Sequence, residues 1–152
     1  MSDNWIILVP EIAGFVPPPQ KRESALAKLR ELAPKADEAK IEITDTIRFE
    51  HCGGVFEGIR CPVCAQEIEI DRWQDWMDED FGDDRDFKLK PINLPCCGAS
   101  KTLHDLDYKP AQGFARFSLE TMNPNIGDMP KTSRAAIEQI LGCPLRVIYR
   151  RM

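Results

Sequence analysis

The chain has 152 residues, of which 43% are apolar and 30% charged, and its net charge is −5. This composition excludes wholesale disorder, and a chain of this length buries roughly 70% of its unfolded surface, enough to fold without disulfide bonds. The acidic balance argues against nucleic acid as a partner, because nonspecific affinity for phosphates comes from Lys and Arg.

The N-terminal end predicts a cytoplasmic protein. The apolar run Trp5–Val9 is too short for the core of a signal peptide, and no basic residue precedes it. No stretch of sequence approaches the roughly 20 apolar residues of a transmembrane helix, so we expect no membrane association. In a reducing compartment, six cysteines are better explained as metal ligands or buried thiols than as a disulfide framework.

The first third of the chain predicts a strand, a helix and a second strand. The run Trp5–Val9 is continuous and apolar, which is typical of a short buried strand. Apolar side chains then recur at helical spacing from Ala25 to Ala33, and Pro34 ends this segment. Apolar residues alternate with polar ones over residues 41–49, which predicts a strand with one buried face.

The last third repeats this order. Residues 113–122 alternate as a strand, and the face that we expect to point to the core carries Ala115, Phe117, Leu119 and Thr121. A helix follows, capped by Thr132 or Ser133 and ended by Gly142. Residues 145–150 alternate again and predict a final strand, which would lie at the edge of a sheet.

Two β-α-β units in one short chain predict an α+β fold. The expected arrangement is a ferredoxin-like βαββαβ sheet of four antiparallel strands, with two helices on one face. Residues 1–49 and 113–152 would together form this core, and residues 50–112 would interrupt it as an insertion. Within the insertion, apolar residues from Ile70 to Phe81 fall at helical spacing and predict a short amphipathic helix with an acidic face.

Four of the six cysteines lie in two short turns of the insertion. The two-residue gap in Cys61-Pro62-Val63-Cys64 lets both thiolates of a tight turn point at one ion. The turn Pro95-Cys96-Cys97-Gly98 can supply two more ligands. Because a tetrahedral set of thiolates favours zinc over hard ions, we predict one structural Zn²⁺. Its ligands would be Cys61, Cys64, Cys96 and Cys97.

The fourth ligand is open to a second interpretation. Adjacent cysteines on an extended strand point to opposite faces, so Cys96 and Cys97 can both bind only if their turn curls around the ion. His104, seven residues beyond Cys97, is the main alternative to Cys96. Cys52, beside His51, is a further candidate ligand. His51 and Cys52 are not expected to form a catalytic pair, because neighbouring side chains on a strand point to opposite faces.

The CPVC turn, flanked by predicted strands and paired with the PCCG turn, resembles the zinc-ribbon class. The likeness covers roughly residues 50–110 and departs from the usual pattern in its long spacer and in CC replacing a second CxxC. The run CPVC, LPCCG, LHDLDY and GFARF also resembles a group of uncharacterised bacterial proteins. Zinc ribbons serve many processes, so the resemblance implies a fold element and leaves the function open.

Two further features of the insertion have competing interpretations. The acidic residues Asp78–Asp86 do not match the spacing of a calcium-binding EF-hand loop, so we expect a solvated acidic surface. Tryptophans on a helix, such as Trp73 and Trp76, more often lie in a core than on a partner-binding surface. Because the insertion is small, this helix must pack against the main sheet or against another chain.

The functional prediction is a non-enzymatic zinc-binding protein that acts as an interaction or regulatory module. The sequence contains no phosphate-binding loop and no Ser/His/Asp or paired-carboxylate pattern, so we expect no enzymatic activity. The expected partner is another protein or a second copy of the chain. One alternative is a nucleic-acid-binding zinc ribbon. The other is a thiol-disulfide redox protein, since CPxC also occurs in oxidoreductases.

Overall fold

A computed structural model describes residues 2–152 and shows a mixed α/β architecture with three α-helices and antiparallel sheets. None of these helices is both long and apolar enough to cross a bilayer. The elements are β1 Asn4–Pro10, α1 Pro19–Leu32, β2 Glu38–Glu50, β3 Gly58–Arg60, β4 Glu67–Ile68, α2 Ile70–Phe81, β5 Ile92–Asn93, β6 Ser100–Lys101, β7 Asp107–Lys109, β8 Gly113–Met122, α3 Lys131–Leu141 and β9 Leu145–Arg151.

The largest sheet has four strands in the order β2-β8-β1-β9, and each neighbouring pair is antiparallel. In its register Leu8 faces Leu119, so their side chains share one side of the sheet. Helices α1 and α3 cover that side of the sheet, and their own apolar faces are buried against it. The buried residues there include Ile6, Leu8, Ala25, Leu29, Phe117, Leu119, Ile137 and Leu141.

Strand β8 buries both of its faces, which corrects the expectation of one core face and one polar face. Phe117 and Leu119 pack under the helices as predicted. Phe114 and Glu120, expected on the outward face, are also buried, with exposures of 0% and 5%. Phe114 is buried because it belongs to a second core, formed mainly by residues 50–112, where it contacts Phe49 and Phe87.

Strand β2 contains an irregularity that the sequence alternation did not reveal. Its register with β8 shifts between Ile43 and Arg48. The Arg48 guanidinium occupies the shifted region, where it donates to Thr44 Oγ1, the Arg116 carbonyl and Ser118 Oγ, each at 2.8 Å. Ile43 is left 41% exposed at this bulge, although the alternation predicts it on the buried face.

Helix α3 begins earlier than predicted. Its first residue is Lys131 and its N-cap is Pro130, so Thr132 and Ser133 lie inside the first turn and form no cap. Pro130 has φ −61° and ψ 147°, an extended conformation directly before the helix. The predicted end is confirmed, because Gly142 has φ +77° and its N–H donates to the Glu138 carbonyl.

Residues 50–112, which we call the central segment, connect β2 to β8 and contain a three-stranded sheet, β4-β3-β7, the hairpin β5-β6, and α2. Trp73 lies in the core of this segment, where its Nε1–H donates to Tyr108 OH at 3.0 Å. Tyr108 OH in turn donates to the Leu103 carbonyl at 2.6 Å. The buried residues of this core are Ala13, Ile59, Cys61, Ile68, Trp73, Leu94, Leu103, Leu106, Tyr108 and Phe114.

Candidate metal centre

The first cysteine turn lies between β3 and β4. The Cys61 N–H donates to the Gln66 carbonyl at 2.9 Å, and the Ala65 N–H donates to the Cys61 carbonyl at 3.1 Å. Ala65 closes the turn with a positive φ of 63°. The Val63 and Cys64 N–H groups point at Cys61 Sγ, at 3.4 and 3.5 Å. This turn therefore presents its first sulfur to two backbone donors, as a metal-binding thiolate requires.

The second cysteine turn lies between β5 and β6 and repeats the hydrogen bonds of the first. The Leu94 N–H donates to the Ala99 carbonyl at 2.9 Å, and the Gly98 N–H donates to the Leu94 carbonyl at 2.7 Å. Gly98 has φ +74° at the position equivalent to Ala65. The two turns, CPVCAQ and LPCCGA, therefore have the same backbone hydrogen bonds at equivalent positions.

This equivalence shows how the CC sequence could supply two metal ligands. Cys97 takes the place of Cys64, and Leu94 takes the place of Cys61. The second turn lacks a cysteine at its first position and carries one, Cys96, two residues later. Residues 95–97 form a turn, so the two adjacent cysteines do not point to opposite faces. This meets the requirement, expected from the sequence, for both of them to reach one ion.

The four sulfurs come together at one point. Cys61 Sγ lies 3.7 Å from Cys97 Sγ, and Cys64 Sγ lies 3.3 Å from Cys96 Sγ. All four ligand atoms lie within 4.8 Å of one another. Ligands about 2.3 Å from a tetrahedral zinc ion are separated by roughly 3.8 Å, so these distances suit such an ion. The four cysteines could hold a metal ion, and that one binds there stays a prediction.

Burial and charge divide the four thiols. Cys61 is 2% exposed and points into the core of the central segment, whereas the other three are exposed. The Cys64 and Val63 N–H groups lower the pKa of Cys61 to about 6. The neighbouring thiol of Cys64 raises the pKa of Cys96 to about 12. Four thiolates at such short range repel one another, and a bound cation removes that penalty.

His104, the alternative fourth ligand, lies outside this cluster, so that interpretation is wrong. Its side chain is buried, with Nε2 2.8 Å from the Glu11 carbonyl. The Phe114 N–H donates to Nδ1 at 3.0 Å. Burial, with the charge of Arg146, lowers the pKa of His104 to about 4, so the ring is neutral and Nδ1 is free to accept. His104 connects the central segment to β8 and to the loop after β1.

Cys52 and His51 do not form a site either. Cys52 is fully buried beside Ile7 and Val9, and this burial raises its pKa. His51 Nδ1 accepts the Gly53 N–H at 3.0 Å, so the ring is engaged by backbone. Neither residue joins the four-cysteine group among residues 2–152.

Sequence reasoning missed a second anchor of the central segment, Asp80. We expected this residue on a solvated acidic surface, but it is 6% exposed. Its carboxylate accepts the N–H groups of Lys88, Leu89 and Lys90 at 2.8 to 2.9 Å. No sequence signal separated Asp80 from its acidic neighbours, because the loop that it anchors is recognisable only in three dimensions.

Comparison of the chain with protein-family models, with curated proteins and with solved structures found no match. The likeness of the cysteine turns to those of zinc ribbons therefore rests on their residues and their geometry.

Proposed function

We propose that the protein is a non-enzymatic zinc-binding protein whose ion holds together a surface that binds another protein. The observation that carries this proposal is the convergence of four cysteine sulfurs within 4.8 Å. Sulfur ligands in a tetrahedral set suit zinc, whereas Mg²⁺ and Ca²⁺ require oxygen ligands.

The ion would be structural because cysteines fill its coordination shell. A catalytic zinc keeps one position open for water or substrate, and four protein ligands leave none. The β3-β4 and β5-β6 hairpins belong to different sheets, so the ion would join two units that share no strand pairing in the described chain. Structural zinc sites contribute about 10–16 kcal/mol of apparent binding free energy in small domains, enough to hold a segment of this size together.

We further interpret the architecture as a ferredoxin-like sheet interrupted by a zinc-ribbon-like insertion. Support for the first part comes from the order β2-β8-β1-β9, which is that of a βαββαβ sheet when the short strands are set aside. Support for the second comes from two hairpins that each carry a cysteine turn. On this interpretation, the central segment replaces the hairpin turn between the second and third strands.

The states of the two histidines support a non-enzymatic role. His104 is bonded through both ring nitrogens to backbone groups, and His51 accepts a backbone N–H. Neither is placed to act as a base for a cysteine nucleophile. Because cysteines that bind a metal must stay reduced, we also propose that the protein acts in the cytoplasm.

Elemental analysis of untagged protein tests the metal. We expect one zinc per chain in the wild type and in Cys143→Ser, a matched control outside the site. Cys97→Ser should lose the zinc. A wild-type protein that is folded and free of zinc after purification from zinc-containing medium would overturn the proposal.

Thiol counting separates this function from the redox alternative. With zinc bound, a thiol reagent should react rapidly with Cys143 alone, because Cys52 is fully buried and the other four are ligands. A redox protein would instead show rapidly reacting site thiols and turnover with a disulfide substrate. Retention on DNA or RNA that falls with salt would support the nucleic-acid alternative.

A further inference from the structure

A groove runs between α2 and the second cysteine turn. Trp76 of α2 lines two cavities, of about 410 and 280 Å³. The larger cavity is bounded by Ile68 and Leu94, which are buried, by Cys96, and by the charged side chains of Glu67, Glu69 and Arg72. It therefore has an apolar floor and borders the metal centre. Trp76 is half-buried, so one part of its indole packs in the core and the other faces the groove.

The groove lies in the most acidic part of the chain. Residues 66–86 contain ten acidic and two basic side chains, a net charge of −8 against −5 for the whole protein. Seven of these acids are exposed and form no ion pair among residues 2–152. They are Glu67, Glu69, Asp71, Asp75, Asp78, Glu79 and Asp83.

This charge pattern disfavours α2 in the isolated protein. Asp71, Asp75 and Glu79 follow one another at intervals of four residues, so their carboxylates lie along one stripe of the helix and repel one another. The last turn of α2 carries no basic side chain of its own, but the Lys88 ammonium supplies a cation there by donating to the Phe81 carbonyl at 3.2 Å. Bound cations would relieve the repulsion along the stripe.

We propose that this groove binds a segment of a partner protein in which Lys or Arg side chains flank an apolar side chain. The inference rests on the proposed function and names the class of partner. The apolar side chain would enter the larger cavity against Trp76, and the basic side chains would pair with the acidic stripe. An apolar anchor surrounded by complementary charge is the usual arrangement of a specific interface.

A second copy of this chain matches the groove less well. Two of the three arginines of its final strand are already engaged, since Arg146 contacts Glu11 and Arg150 contacts Glu50, both at 2.9 Å. Presenting these two to a groove would break their ion pairs, which leaves Arg151 as the one cation of the strand without an ion pair among residues 2–152. A separate basic partner incurs no such cost.

Fluorescence anisotropy with the zinc-loaded protein tests the proposal. The probe is a short labelled peptide of Lys, Arg and Leu, compared with one in which Glu replaces the basic residues and one in which Ser replaces Leu. We expect the first peptide to bind and both controls to bind at least about tenfold more weakly. Affinity should also fall between about 50 mM and 500 mM salt.

Two variants locate the site. Asp75→Asn/Glu79→Gln should weaken binding about fivefold at low salt, and Trp76→Ala about tenfold or more. The matched control is Glu23→Gln/Glu38→Gln, which changes the net charge equally at exposed positions away from α2 and should alter binding less than about twofold. If Trp76→Ala does not fold, the comparison of the two charge-neutralising double variants still tests the proposal.

Several results would overturn the proposal. One is equal binding of the acidic peptide, and another is an equal effect of the two charge-neutralising double variants. A concentration-dependent dimer that Trp76→Ala abolishes would make a second copy the occupant instead. A protein that contains one zinc but binds no basic peptide loses this inference and keeps its metal centre, whereas a zinc-free protein loses the proposed function itself.

Discussion

Leu94 occupies in the second cysteine turn the position that Cys61 occupies in the first. Both residues donate their N–H to a carbonyl five residues later and accept an N–H from four residues later. Both side chains are buried in the same core, with exposures of 1% and 2%. The second turn is therefore a cysteine turn in which Leu replaces the first cysteine, and Cys96 supplies a sulfur from the third position.

This relationship predicts that a ligand can be moved within the turn. Cys96→Val should weaken zinc binding by more than the roughly 10–100-fold that loss of an outer-shell partner costs. Leu94→Cys/Cys96→Val should restore it to within about tenfold of the wild type, because a thiol at position 94 then repeats the geometry of Cys61. Competition with a chromophoric chelator measures both affinities.

The matched control for this exchange is Leu94→Ala/Cys96→Val, which opens a similar space in the core without adding a thiol. It should stay as weak as Cys96→Val. Shortening Leu94 to Ala should cost about 2–5 kcal/mol of stability, since the residue is buried. No gain of affinity from Leu94→Cys would show that the two positions are not equivalent.

Removal of the metal should unfold the central segment before the main sheet. Isoleucine methyl signals report on both parts, since Ile59 and Ile68 lie in the core of the central segment and Ile6 and Ile137 lie under the helices. On chelation we expect the first two signals to move to random-coil positions and the last two to remain dispersed. Collapse of all four together would argue against separate unfolding, and no change would argue against a structural ion.

The sequence predicted the parts of the molecule that follow from short-range patterns. The apolar run of residues 5–9 and the periods of residues 25–33 and 113–122 identified strands and a helix that the structure contains, because each pattern arises from side chains close together in the sequence. The cysteine cluster was predicted for a similar reason, since ligand spacing in a tight turn is local chemistry. Whether Cys96 would join the cluster depended on whether its turn curls, which spacing alone did not decide.

Features that depend on distant partners were not predictable in this way. The bulge before Arg48 arises because its guanidinium bonds to Arg116 and Ser118 on another strand. His104 is excluded from the metal centre by its bonds to Glu11 and Phe114, which approach it from remote parts of the chain. In both cases a polar side chain bonds to backbone groups that are distant in the sequence, so the contact could not be predicted from the sequence.

Asp80 should be the most sensitive acidic position of α2. Asp80→Ala leaves three N–H groups of residues 88–90 without their acceptor, so we expect a loss of about 2–4 kcal/mol. Asp78→Ala, two residues earlier and exposed, is the matched control and should change stability by less than about 0.5 kcal/mol. Urea unfolding measures both, and equal stabilities would show that the Asp80 bonds are unimportant.

His104 should make stability fall in acid. Burial, followed by the charge of Arg146, lowers its pKa from 6.5 to about 4. In the window between these values the unfolded chain takes up a proton that the folded protein excludes, so the stabilisation is complete above 6.5 and is lost towards 4. It amounts to at most about 3 kcal/mol.

The test compares the wild type with His104→Gln, which cannot titrate. The stability advantage of the wild type should shrink by about 2 kcal/mol between pH 7 and 5. Loss of zinc in acid affects both proteins and cancels in this difference. The variant should also retain one zinc per chain, and a zinc-free His104→Gln would return His104 to the list of ligands.

Glu120 should have the opposite pH dependence. Burial, followed by a hydrogen bond with Glu42 and the charge of Glu50, raises its pKa from 4.5 to about 7. It faces Ile7 on one neighbouring strand and Lys40 on the other, and its Oε2 is buried without a hydrogen-bond partner among residues 2–152. Its contribution to stability is therefore complete below pH 4.5 and is lost as pH rises through 7, because the folded protein resists ionisation.

Glu120→Gln remains neutral at every pH and should remove this dependence. We expect the variant to gain about 2–3 kcal/mol of stability relative to the wild type between pH 5 and 8. Glu38→Gln, at an exposed position of β2, controls for the loss of one negative charge and should show little change over the same range. Parallel stability curves for the wild type and Glu120→Gln would mean that Glu120 ionises in the folded protein as readily as in the unfolded chain.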